Sequence, residues 1–195
     1  MFTLTPCEAG CGAPAISGSR LCACHVADPE KEAARLGQHI SKQRVVKDLC
    51  ASSIHFESTD FSHRQYFGCN FNGASFDMCL FTGSFMRMVF FDFSRFENCD
   101  FSNCDLQFVS FAGCRMLNCT FENSELVHVN YGGAVIKGCT FNNSNLYNSR
   151  FISAGITDSD FVGCNLKKTH FFNITQERLS FKSSNTAEAI FDLEL

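Results

Sequence analysis

The stretch Cys119-Thr120-Phe121-Glu122-Asn123 carries the pattern that organises most of the chain. A large apolar residue stands at its centre, a small residue two places earlier and a turn-forming Asn two places later. Every fifth residue from Phe56 to Phe171 is large and apolar, without a slip; the beat misses at Gln176 and returns at Phe181 and Phe191. Small side chains such as Cys69, Ala74, Cys79 and Ser84 stand two places before the large ones, and Gly73, Gly83, Asn98 and Asn103 two places after. A period of five is neither the 3.6 of a helix nor the 2 of an ordinary strand. Two inward residues in five require a short extended piece and a tight corner, and Gly and Asn tolerate the backbone angles such a corner needs.

This pattern resembles the pentapeptide-repeat family and covers about residues 54–183. The resemblance implies an all-β fold, a right-handed quadrilateral β-helix with four repeats per coil. Residues 20 apart then stack, and the sequence bears this out internally. Phe61, Phe81, Phe101, Phe121, Phe141, Phe161 and Phe181 form one column, every member Phe. At the usual strand spacing, roughly six and a half coils make a rod about 30 Å long. The predicted organisation is a zinc-binding segment over 1–27, a helical linker and cap over 28–50, the β-solenoid over 51–183 and a C-terminal cap over 184–195.

Composition narrows the function classes. Net charge is -4 and the pI about 5.8, which argues against a direct nucleic-acid binder or a membrane-surface protein. The use of 23 Phe and no Trp suits one repeated slot rather than a varied core. The opening residues lack a basic segment followed by an apolar one, and no apolar run is long enough to span a bilayer, so the expected setting is cytoplasmic with reduced thiols. The odd count of 13 cysteines fits a closed disulfide framework poorly.

Eight of those cysteines fall in the small inward slot, and Cys79, Cys99, Cys119 and Cys139 stack in one column. They read as small, readily buried fillers, since Ser, Ala and Val share the slot. A thiol ladder that binds metal or senses oxidation is the competing reading. Cys50 lies outside the repeat phase.

The N-terminal segment reads Cys7-x3-Cys11-x10-Cys22-x2-His25, with Cys24 as an alternate ligand. Four such donors in two close pairs suit a structural, tetrahedral Zn²⁺, and Gly10 and Gly12 supply the tight turn around Cys11. A segment this short has almost no core of its own, so a metal staple has a physical purpose. It resembles short treble-clef or knuckle-like zinc modules; the bland reading is a Cys-rich disordered leader. A helix follows, capped by Asp28 with Pro29 in its first turn, and Gly37 is expected to divide it. Val45, Val46 and Leu49 are expected to cover the first coil, and Ala189, Ile190, Phe191, Leu193 and Leu195 the last.

No catalytic set emerges. His55, His63, His128 and His170 face outward on different coils or faces, and no glycine loop has phosphate-cradling spacing. The expectation is a non-enzymatic protein–protein interaction scaffold, with an unidentified protein partner or a second copy as homodimer. Its adhesive surface is expected at Phe67, Phe85, Met88, Phe90, Phe93, Phe108, Val127 and Tyr147, large apolar residues in outward slots. The runner-up comes from the resemblance: some pentapeptide-repeat proteins of the quinolone-resistance type imitate duplex DNA and protect gyrase. From residue 51 onward there are 15 acidic and 10 basic residues, thin charge for such a mimic.

Overall fold

Each repeat contributes one short strand and one corner, and four repeats close one coil. In the computed structural model, which describes residues 4–192, parallel strands pair with residue n opposite residue n+20 throughout. Four flat faces result. The first carries the strands Val45–Lys47, Gln65–Phe67, Phe85–Arg87, Asp105–Gln107 and Glu125–Val127. The third carries seven strands, from His55–Glu57 to Thr175–Ser180. The second and fourth faces are joined rung to rung by single bridges such as Asn70–Phe90 and Asp100–Thr120. About seven coils stack in this way.

The large residue of every repeat from Phe56 to Phe171 is buried. Rings in one column lie flat on one another: Phe81 and Phe101 are 4.3 Å apart at 3°, and Phe121 and Phe141 4.9 Å apart at 2°. Rings of adjacent columns meet edge to face, as Phe101 and Phe111 do at 5.8 Å and 88°. Both arrangements suit the ring quadrupole, so one residue type can fill a square core coil after coil.

The small slot does more than save space. The hydroxyl of Ser94 donates to the Phe71 carbonyl at 2.8 Å, that of Ser124 to Phe101 at 2.9 Å and that of Thr169 to Leu146 at 2.8 Å. The Cys104 and Cys114 thiols do the same to Phe81 and Phe91, at 3.0 and 2.8 Å. Each partner lies 23 residues earlier, so the slot rewards a small donor as well as a small volume. Burial pushes the Cys69 thiol up to about 11 and that of Cys104 to about 12. This supports the structural reading of these two; in the column of Cys79, Cys99, Cys119 and Cys139, hydrogen bonding between neighbouring thiols pushes Cys79 and Cys119 up and draws Cys99 and Cys139 down.

The rod begins earlier than predicted. Val46 is a buried rung of the first face, not a cover for it, and Ala51 is the next. Cys50 is in phase, bridged to Asn70 twenty residues on, as Asn70 is to Phe90. These repeats escaped notice because Val46 and Ala51 lack the bulk that marks the others. The cover is the helix Pro29–Ser41, whose Leu36 and Ile40 are fully buried against the first coil, with Ile16 beside them. Asp28 caps it through the Lys31 N–H at 2.9 Å. Gly37 does not divide the helix: a Cβ there would lie 3.4 Å from Thr59 Cγ2, so glycine serves close approach. At the far end Phe181 stacks on Phe161 at 5.3 Å and Phe191 on Phe171 at 5.1 Å. Gln176 keeps the strand register opposite Ile156 with its side chain exposed. Leu193 and Leu195, expected in the cap, lie outside the described residues.

Candidate functional site

A hairpin-like turn builds the N-terminal cluster. Cys7 N–H donates to the Ala13 carbonyl at 2.9 Å, and Ala15 N–H to that of Thr5 at 2.8 Å. Gly10 and Gly12 turn the loop between them at φ of 74° and 79°, bringing Cys11 back beside Cys7. A second turn, with the His25 and Val26 N–H groups on the Cys22 carbonyl, presents Cys22 and His25 to the same point. The donor atoms of Cys7, Cys11, Cys22 and His25 all lie within 4.8 Å of one another. Cys11 and Cys22 Sγ are 3.6 Å apart, and His25 Nδ1 is 3.6 Å from Cys7 Sγ and 3.3 Å from Cys22 Sγ. Four donors about 2.3 Å from a tetrahedral Zn²⁺ would be separated by roughly 3.8 Å, so the set fits that ion. Cys24 is exposed and outside the set. The Cys22 N–H points at Cys7 Sγ from 3.3 Å and chiefly accounts for a thiol held down at about 6.

The cluster is tied to the rod. Between its halves, Ser17 N–H donates to the Cys50 carbonyl at 2.8 Å and Cys50 N–H returns to Ser17 Oγ at 2.7 Å. Arg35, held by Glu32, donates to the Ser17 carbonyl at 2.6 Å. Ser17 thus supplies on the second face the edge contact that a preceding coil would make. No metal-ligand spacing signals this role.

The apolar surface is real but graded. Met88, Phe93 and Phe108 are exposed by 54%, 78% and 49%. Phe67, Phe85, Phe90, Val127 and Tyr147 are half-buried; Phe67 and Phe85 shelter each other with rings 5.5 Å apart. The three exposed residues sit at corners with φ of 54°, 59° and 55°, a region that penalises ordinary side chains by about 1–2 kcal/mol. The equivalent corners elsewhere are mostly Gly, Asn or Ser. Sequence reading missed Met78 and Leu80, also about half exposed, at the corner between the third and fourth faces.

Among the described residues no second group of His, Cys, Asp and Glu is arranged to hold a metal ion. His55 Nδ1 meets Ser75 Oγ at 2.8 Å, but no carboxylate bonds the His55 ring. An open groove runs between the helix and the strand His55–Glu57. Among the described residues no helix is long and apolar enough to cross a membrane.

Residues 114–191 match the family model described as a pentapeptide repeat region. No curated protein matches the chain. Solved structures of similar architecture include HetL, a pentapeptide repeat protein involved in heterocyst differentiation regulation in the cyanobacterium Nostoc. It is 9% identical, with 77% of this chain and 92% of that one covered and a TM-score of 0.34. A trypsin-treated variant of QnrB1, a plasmid-mediated fluoroquinolone resistance protein, is 16% identical over 77% and 78%, with a TM-score of 0.39. A pentapeptide repeat protein of the Arabidopsis thaliana thylakoid lumen is 13% identical over 66% and 70%, with a TM-score of 0.30. Likeness at these levels carries no functional argument.

Proposed function

Because the chain belongs to the pentapeptide-repeat family, a stiff rod with four flat faces, we propose that it is a non-enzymatic protein–protein interaction scaffold. The adhesive surface spans the second face and its two corners, with Met88 and Phe108 at the corner toward the first face and Phe93 at the corner toward the third. One observation carries this reading. Met88, Phe93 and Phe108 are at once exposed to water and held in a backbone conformation that Asn or Gly would adopt at less cost. Large apolar residues kept against both penalties suit a surface that is covered by a partner. The N-terminal cluster is read as a structural Zn²⁺ site of Cys7, Cys11, Cys22 and His25. Four protein ligands leave no open position for catalysis. Thirteen free thiols suit a reducing, cytoplasmic setting.

The test replaces Met88, Phe93 and Phe108 together with Asn. Asn favours these backbone angles, so the variant is expected to be at least as stable as the wild type. Its mass in solution and its partners in native extract, captured by cross-linking and mass spectrometry, are expected to change. A variant that keeps its mass and every partner removes the surface from consideration.

The DNA-mimic reading has less behind it. Along the fourth face the row Asp60, Leu80, Asp100, Thr120, Thr140, Asp160 is interrupted by neutral residues. Rungs lie about 4.8 Å apart, whereas duplex DNA carries about one charge per 1.7 Å.

A further inference from the structure

The stacking brings together a strip that no short stretch of sequence contains. Three outward rows run along the corner between the first and second faces. From the second rung to the seventh they hold Phe67, Arg87, Gln107, Val127, Tyr147 and Lys167; Gly68, Met88, Phe108, His128, Asn148 and Lys168; and Asn70, Phe90, Ser110, Asn130, Arg150 and His170. Between these rungs no Asp or Glu occurs in the three rows; the middle row ends on Asp48 at the first rung and Glu188 at the eighth. The chain as a whole is net -4, so its charges are segregated.

Two cations bracket a run of three rings along this strip. Arg87 lies 5.9 Å over the Phe108 ring, Phe108 stacks on His128 at 4.9 Å, His128 meets Tyr147 edge-on at 5.9 Å, and Lys168 lies 5.5 Å over Tyr147. Lys167 is paired with Glu188, but Arg87, Arg150 and Lys168 form no ion pair among the described residues. Carboxylates flank the strip, and each is held by neutral donors, two of which (Gln107 and Ser110) belong to the strip itself. Asp105 accepts from Gln107 at 3.1 Å, Glu125 from Asn145 at 2.7 Å, and Asp92 from Ser110 and the Ala112 N–H.

We propose that this corner strip binds an acidic protein segment whose carboxylates pair with Arg87, Arg150 and Lys168 and whose intervening apolar residues seat on Met88, Phe108 and Tyr147. The proposal rests on reading this corner as part of the adhesive surface and names the chemistry of what adheres. Interleaved basic and aromatic residues also suit single-stranded nucleic acid, whose bases stack on open ring faces. Here Phe108 is sandwiched between Arg87 and His128, and Tyr147 has Lys168 over its ring and His128 edge-on against it, so the ring faces are largely occupied. What remains is ring edges, Met88 and free cationic donors, which suit carboxylates and aliphatic side chains. Arg87 and Lys168 lie four rungs apart, about 19 Å, which a helical segment of about 13 residues would span.

The experiment uses the full chain and four fluorescein-labelled probes. These are a peptide alternating Glu with Leu and Phe, its counterpart with Lys for Glu, its counterpart with Ser for Leu and Phe, and a twenty-residue oligothymidylate. Fluorescence anisotropy is expected to give micromolar binding of the first, weakened by salt. Binding of the second and third is expected to be at least tenfold weaker. Arg87→Glu, Arg150→Glu and Lys168→Glu together, with the circular dichroism unchanged, are expected to lose the acidic probe tenfold or more and to gain the basic one. Failure of the acidic probe to bind, or a tenfold preference for oligothymidylate, overturns the proposal. If the charge reversal leaves binding unchanged while the Asn substitutions abolish it, the surface stands and its acidic partner falls. If neither matters, both fall.

Discussion

The ring of Phe93 lies across Gly113, its Cδ1 and Cε1 only 2.6 and 2.7 Å from where a side-chain carbon on that glycine would begin. Both residues belong to one corner column, and both have positive φ. The same relation holds between His63 and Gly83. At these two corners the bulky residue folds toward the next rung, and that rung accepts it by having no side chain. Gly113→Ala is therefore expected to displace the Phe93 ring and to destabilise the rod by about 1–2 kcal/mol through corner strain. Gly133→Ala, with open space around it, should show only the strain. Denaturant midpoints of the two variants, with and without Phe93→Asn, separate the clash from the backbone cost.

Tyr131 is the odd member of a column that is otherwise Phe from Phe71 to Phe191. Its hydroxyl is buried with no hydrogen-bond partner, whereas Tyr66 Oη donates to the Phe61 carbonyl at 2.8 Å. An unpaired buried hydroxyl costs about 1–3 kcal/mol. Tyr131→Phe is expected to raise the unfolding free energy by about 1 kcal/mol and Tyr66→Phe to lower it. Equal shifts in the two urea midpoints would contradict this contrast.

One zinc per chain is expected by elemental analysis of purified protein. Cys11→Ser should lose the metal and lower the thermal midpoint, while Cys24→Ser should do neither. Because Ser17 joins the cluster to Cys50, chelation is expected to increase amide hydrogen exchange around Cys50 before the middle of the rod. Metal-free protein with wild-type exchange at Cys50 would remove the staple role.

Alkaline pH should weaken the rod. A thiol titrates near 9 when unfolded, but burial holds Cys69 at about 11 and Cys104 at about 12 when folded. The folded state keeps its protons longer, so stability is intact below about 9 and falls as pH rises from there toward 11–12. Cys104→Ser keeps a donor in the slot and removes one such proton, so it should flatten this decline. Urea midpoints at pH 8 and pH 10.5 measure the difference.

The core was legible because one residue type repeats at one spacing: Phe61 through Phe181 announce both the five-residue corner and the twenty-residue coil. The metal cluster was legible for a similar reason, since ligand spacing is local. Val46 and Ala51 were hidden because burial there is achieved with little bulk. The donor role of Cys104 and Ser94 was hidden because their acceptors lie 23 residues away. Arg87, Arg150 and Lys168 look scattered along the chain and become neighbours of one strip only once the coils are stacked. Surface chemistry in this fold is written across the repeats, where reading along the chain does not find it.

The constant offset of twenty residues between partners also makes the gene's reading length matter in steps. Duplicating twenty residues within the solenoid would lengthen the rod by one rung and leave every downstream side chain on its own face. Duplicating only five would preserve the core equally well yet rotate everything downstream by a quarter turn. Arg150 and Lys168 would then leave the side occupied by Arg87, and a well-folded protein would have lost its continuous strip. Insertions and deletions in such a chain therefore fall into two kinds, those that change reach and those that change which way the molecule faces.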